Sequence, residues 1–390
     1  MKRVIPFLLL ACVAVACKED GPTVPALHPQ FGKPNCDIDP SHPSCNGGGG
    51  GGDTGAYIAT PLGRPKMVTK ARDLGEGPSI VISGVGEQDN GDPVGVRWTV
   101  TEAGIDGPTP LLLGSFPVSE ARGVNDAGTV IVGIVGSGMG GVGGAHILDQ
   151  KPVAWSPPSG SPVPLYIGDH RYGDAFDVND DGLIVGTTGM SYSYSAATLW
   201  NTDGSVYALM PPAMDDGLTM GMGINNEGYV VGYGSAMDPH GEPWHALLWR
   251  PGDGSYTDAP CDLHDAAWGE QSSAAYGVTD VTSDGHVFVN GASGGGVIWK
   301  VHVTTCDFSV VHHLANAKVH DVALVANEAQ AVGMSAAGDQ PVRWLISTGD
   351  EVVLSDAQGY ALAINRTGSI VGWTKFKGSE RATLWKPNSN

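Results

Sequence analysis

Asp238, His240, Glu242 and Trp244 fall within seven consecutive positions. A second cluster, Asp169, His170, Arg171 and Tyr172, and a third, His264, Asp265 and Trp268, have the same make-up, and Tyr192 and Tyr194 add two more rings. A carboxylate beside an imidazole can move a proton, so these groups could form the acid–base cleft of a carbohydrate-active lyase or hydrolase. The same groups could instead recognise a ligand. Flat rings offer apolar area and their polar neighbours offer hydrogen bonds, a combination that suits a sugar or a peptide. Nothing in the spacing singles out a nucleophile, a base and an orienting group. His-Glu-x-x-His and phosphate-loop patterns are missing from the sequence. The expectation is therefore a non-catalytic site made by Tyr172, Tyr192, Tyr194, Asp238, His240, Trp244 and Trp268. Packing of the same rings over the scaffold is the competing reading.

Asp177, Asn179, Asp181 and Gly182 have the D-x-N-x-D-G spacing that lets alternate oxygens converge on calcium. The pattern occurs once, without the later bidentate carboxylate, and sister repeats place Gly123 or Gly223 where Asp177 stands. A hairpin turn explains it as well. No cofactor is expected, and calcium is the one metal with a candidate site.

The elements that must position these groups are repeats. Trp98, Trp155, Trp200, Trp249, Trp299, Trp344 and Trp385 follow one another at gaps of 57, 45, 49, 50, 45 and 41 residues, each ending a short apolar run. Self-similarity at this period marks blades of a propeller. Each repeat also carries a small-apolar strand ending in Asn, as at 121–125, 175–179, 221–225 and 361–365. An Asn-x-x-Gly turn follows, in which Asn bonds its own backbone and Gly takes positive φ. A β-branched strand ending in Gly comes next, then a variable loop, the Trp strand, and a strand ending in Leu113, Leu165, Leu209, Leu263, Leu314 or Leu354. The short turns and the variable loops then lie on opposite faces, and all three clusters fall on the loop face, where function usually sits.

Three repeats are eroded. The first has Gln88 to Gly91 in place of a clean turn, the fifth has Thr279 for Asn, and the sixth has Asn327 with Ala329 for Gly. Losing one would leave six blades. The seventh repeat stops after Trp385, and Lys70 to Leu74 supplies a strand at the other end of the folded part. An N-terminal strand that completes the last blade hides its edge. The expected fold is an all-β, seven-bladed β-propeller closed in this way, and monomeric.

The pattern Ala-x-x-Ile-Asn-x-x-Gly-x-Val-Val-Gly followed by His-Ala-x-Leu-Trp resembles the bacterial extracellular HAF repeat. The best copy runs from Gly221 to Gly232 and continues with His245 to Trp249; Arg72 to Gly75 is similar to the Asp-Leu-Gly that ends such repeats. The resemblance covers residues 65–390. It implies a propeller-like, secreted protein and no particular activity.

The first residues fit export. Lys2 and Arg3 precede an apolar stretch, residues 4–14, too short to cross a bilayer. Residues 14–17 resemble a lipobox, with Cys17 as the lipidated residue; Cys12 and plain signal cleavage are the alternatives. Lys18 after Cys17, by resemblance to enteric lipoproteins, implies the outer membrane, facing the periplasm or the cell surface. Residues 1–16 are then a signal peptide, 17–64 a Pro- and Gly-rich tether, and 65–390 the propeller. Of the remaining cysteines, Cys36 with Cys45 and Cys261 with Cys306 are expected to form disulfides. Without residues 1–16 the chain carries 41 acidic against 19 basic residues. That balance argues against nucleic acid and anionic headgroups as partners and leaves the lipid as the only membrane contact. The expected partner is a glycan or an envelope protein. A structural role in envelope assembly is the remaining alternative.

Overall fold

Each repeat folds into one antiparallel four-stranded sheet, and seven such sheets form a β-propeller. The computed structural model describes residues 57–62, 68–140, 146–156, 158–191, 194–209, 218–235, 243–252, 256 and 258–388. The innermost strands of blades 1 to 7 are Thr69–Leu74, Val118–Val124, Tyr172–Val178, Leu218–Ile224, Ala274–Val278, Lys318–Val325 and Gly359–Ile364.

The second strand of every blade contains a glycine for a packing reason. A Cβ on Gly84, Gly133, Gly186, Gly232, Gly291, Gly333 or Gly372 would stand 1.8–2.2 Å from a carbonyl oxygen of the inner strand. At that level the inner strand slips by one residue in all seven blades, leaving Arg72, Arg122, Phe176, Met222, Tyr276, His320 and Leu362 out of the pairing. A bulge of this kind re-aims the unpaired side chain. The repeat thus carries one freely chosen residue per blade at the channel.

Blades are held to one another by the motif residues. All seven motif tryptophans are buried. Trp98, Trp155 and Trp200 donate from Nε1 to the carbonyls of Leu62, Leu112 and Tyr166, each in the preceding blade. Asn179, Asn225 and Asn365 accept from N–H groups of their own turns through Oδ1. Their Nδ2 groups donate to Asn225, Thr279 and Gly75 carbonyls in the following blade. The turn residue is therefore also a blade-to-blade link, which the repeat pattern alone did not reveal. Cys261 and Cys306 form a disulfide, 45 residues apart, joining the outer parts of blades 4 and 5.

Several expectations need correction. Lys70 to Leu74 is the inner strand of blade 1, paired with Ile80–Glu87, and not the outer strand of blade 7. The outer position of blade 7 is taken by Tyr57–Pro61, antiparallel to Ser379–Pro387. Leu62 then donates its N–H to Ala382 O, as Leu111, Leu165, Leu263 and Leu354 do in their own blades. Pro61-Leu62 repeats Pro110-Leu111 and Pro164-Leu165, so the signal was in the sequence. It also places Leu111, not Leu113, at the repeat position, and puts residues 57–61, expected in the tether, inside the fold. Gln88 to Gly91 lies between the second and third strands of blade 1, while the first turn of that blade follows Leu74. Blade 6 replaces Asn-x-x-Gly by a two-residue turn, Ala326 and Asn327, at φ of 50° and 66°. Positive φ at both positions matches the twist of the flanking strands.

Candidate binding site

The channel has two ends. At the turn end, inner-strand positions read Asp73, Gly123, Asp177, Gly223, Gly277, Asp321 and Ala363 around the ring. Each Asp reaches across a small neighbour. Asp73, Asp177 and Asp321 accept from the backbone N–H of Val124, Ile224 and Ile364 through Oδ2 at 2.8, 2.9 and 2.9 Å. A Cβ on Gly123 or Gly223 would meet backbone of the next blade at 2.7 or 2.6 Å, so the small residues are required by the same packing. Below them, Arg366 bridges Glu76, Asp126 and Asp280 at 2.9, 3.1 and 3.0 Å. The well enclosed here is small, about 120 Å³. Burial raises four of these carboxyls: Asp177 and Asp126 to about 6 and Asp321 to about 7, with Asp73 also well up. Glu76 adds to the rise at Asp126 and Arg366 opposes it.

The loop end is open. Between blades 4 and 5, Met220, Tyr233, Trp244, Ser273, Tyr276 and Ser293 line a groove of about 450 Å³. Tyr233 and Trp244 meet edge to face at 5.3 Å. Tyr276 and Ala292 are shared with a cavity of about 650 Å³, walled by Phe176, Met222, Tyr276, Lys318 and His320. Four of those five, all but Lys318, are bulge residues that vary from blade to blade, each presented at the channel by the same strand slip. Burial, with Lys318 and Arg72 nearby, pushes the His320 imidazole down to about 4, so it is neutral at pH 7. His320 Nε2 and Arg72 Nε are buried without a hydrogen-bond partner among the described residues. Arg122 is engaged, 3.3 Å from Asp174 and stacked 4.8 Å over Phe176.

The sequence-derived candidates fall in different places. Trp244 lines the groove. Trp268, on a short 3-10 helix Ala266–Trp268, packs edge-on against Trp299 at 6.0 Å and His264 at 5.6 Å. Tyr172 begins the inner strand of blade 3 and is half-buried. Tyr194 begins a strand, Tyr194–Trp200, with its side chain outside the described residues. Tyr192, Asp238, His240, Cys17, Cys36 and Cys45 lie outside the described residues. Asp177 uses both oxygens on backbone N–H groups, Asn179 uses its oxygen on Leu183, and Asp181 is exposed in the turn. Among the described residues no three His, Cys, Asp or Glu side chains are grouped to hold a metal.

His264 and Asp265 are occupied structurally. Ala246 N–H donates to Ser273 Oγ, His264 Nδ1 lies 3.0 Å from that hydroxyl, and His264 Nε2 lies 3.2 Å from Gly269 O. Asp265 caps the 3-10 helix through Ala267 N. The residues that sequence reasoning missed are Phe176, Met222, Tyr276, His320 and Arg366. The signal was present: in a repeat, the position that refuses to repeat is the informative one.

No family model matches the chain, and no curated protein matches it. Solved structures do. The RRP9 WD40 repeats are similar at a TM-score of 0.51 and 11% identity, covering 87% of this chain and 99% of that one. YCF48 from Cyanidioschyzon merolae is similar at 0.50 and 11%, covering 85% and 98%. Puromycin hydrolase is similar at 0.51 and 14%, covering 82% of this chain and 53% of that one. At such identities the likeness concerns the fold alone.

Proposed function

We propose that this propeller is a non-catalytic binding module that takes a glycan or an envelope protein on the loop end of its channel. The observation that carries this reading is the groove of Tyr233, Trp244 and Tyr276 opening into the cavity of Phe176 and Met222. Edge-on rings with serine hydroxyls beside them suit sugar faces or peptide side chains. The structural use of His264 and Asp265 supports binding over turnover. Lys2, Arg3 and the apolar residues after them support export, with a lipid on Cys17 tethering the propeller to the outer membrane. The Cys261–Cys306 disulfide fits an oxidising compartment, and the HAF-like repeat fits a secreted protein. The test incubates the full chain with a panel of purified glycans and cell-wall fragments, scoring retention and product release together. Retention without products is expected. Release of products would overturn the reading.

A further inference from the structure

The loop-end cavity is two-sided in its chemistry. Blades 3, 4 and 5 supply Phe176, Met222 and Tyr276, while blade 6 supplies Lys318 and His320. The Lys318 ammonium lies over the Tyr360 ring, 5.7 Å from its centroid, and among the described residues it makes no ion pair. Arg72 makes one loose ion pair among the described residues, with Glu120 at 4.0 Å, and Glu120 is shared with Arg122 at 3.8 Å, while Glu380 acts on Arg72 from farther off. His320 lines the cavity and its buried Nε2 has no partner among the described residues; Arg72, whose buried Nε has none either, does not line the cavity but lies near enough to lower the His320 pKa. Unmet polar groups in a native fold call for an explanation. A bound anion would supply it, since charge-assisted bonds to a carboxylate are strong and directional.

We propose that this cavity binds a carboxylate carried on an apolar body, with the carboxylate beside Lys318, Arg72 and His320 and the body against Phe176, Met222 and Tyr276. A neutral ligand leaves the cations unanswered. A polyanion meets Glu120 and Asp174 in the channel and the strong negative charge of the whole chain. A sugar finds few hydrogen-bond partners on the cavity's wall of Phe and Met, unlike in the serine-lined groove beside it. Two sources carry the required chemistry: a free aryl- or alkyl-carboxylic acid, and the C-terminus of a peptide ending in an apolar residue. The inference rests on the loop end being the binding surface and narrows what it takes.

Isothermal titration of the full chain tests this with 4-phenylbutyrate and with N-acetyl-Gly-Gly-Phe, each against its neutral amide. At least one acid is expected to bind about tenfold or more tighter than its amide, the size of one charge-assisted bond. Lys318→Met, an exposed site that leaves the core untouched, should bring the acid down to the amide, and Arg72→Gln should do the same. Arg366→Met, at the other end, should leave the difference intact. Whichever acid binds more tightly identifies the source. Equal binding of acid and amide, or no binding of either acid, overturns the proposal. Glycan retention through Trp244 in that event would leave the broader functional reading standing.

Discussion

At the turn end of the channel, Asp73, Asp177 and Asp321 each bond the next blade and Arg366 ties three further carboxylates together. At the loop end, the same inner strands present Phe176, Met222, Tyr276 and His320 to a cavity about five times larger, near 650 against 120 Å³. One end spends its polar groups on holding the ring; the other leaves aromatic area and basic nitrogen without partners. The difference shows how a repeat fold separates stability from recognition. Uniform short turns can satisfy each other around the ring, whereas variable loops and bulge residues need not.

The comparison can be broken most severely where both ends depend on it. Gly232→Ala would place a Cβ 1.9 Å from Met220 O and remove the slip that forms the channel wall. A loss of about 3 kcal/mol or more is expected in denaturant unfolding, and a variant as stable as the parent would refute the packing argument. Arg366→Met, confined to the turn end, leaves Glu76, Asp126 and Asp280 unbridged. About 1–2 kcal/mol should be lost, given the partial exposure of the network, with binding at the loop end unchanged.

Acid should act mainly on the turn end, where three carboxyls with raised pKa values outweigh His320 at the loop end, whose lowered value of about 4 opposes them as pH falls below 6.5. Asp126, Asp177 and Asp321 hold protons more tightly folded than unfolded, with values near 6, 6 and 7. Their stabilising contribution is complete below about pH 4, the unfolded aspartate value, and is lost as pH rises through 6 to 7. Thermal unfolding should therefore move up as pH falls from 8 to about 5, and a midpoint that falls instead would show that other groups dominate. The smallest effect on stability belongs to Trp244→Ala, within about 1 kcal/mol for a half-buried loop-end ring.

Much of this was legible beforehand. Seven Trp-terminated runs and Asn-x-x-Gly turns dictate seven blades, because each motif residue does local work that periodicity exposes. The identity of the last outer strand was misread because Lys70 to Leu74 is a genuine strand and Tyr57 to Leu62 follows a Gly-rich stretch. The site was half legible. Trp244 stands out as an aromatic in a variable loop, but Tyr276 and His320 gain their meaning only from a strand slip whose sequence mark is a glycine on the neighbouring strand. Arg366 was hidden inside a turn motif, where its partners are 86 to 290 residues away.

The most direct test sets one change at each end side by side. Full-length chains carrying Trp244→Ala or Arg366→Met, both shown to be folded, are passed over the same glycan and cell-wall panel as the parent. Loss of retention by Trp244→Ala with retention kept by Arg366→Met is the predicted result. Retention that survives Trp244→Ala and disappears with Arg366→Met would place binding at the turn end and contradict the account.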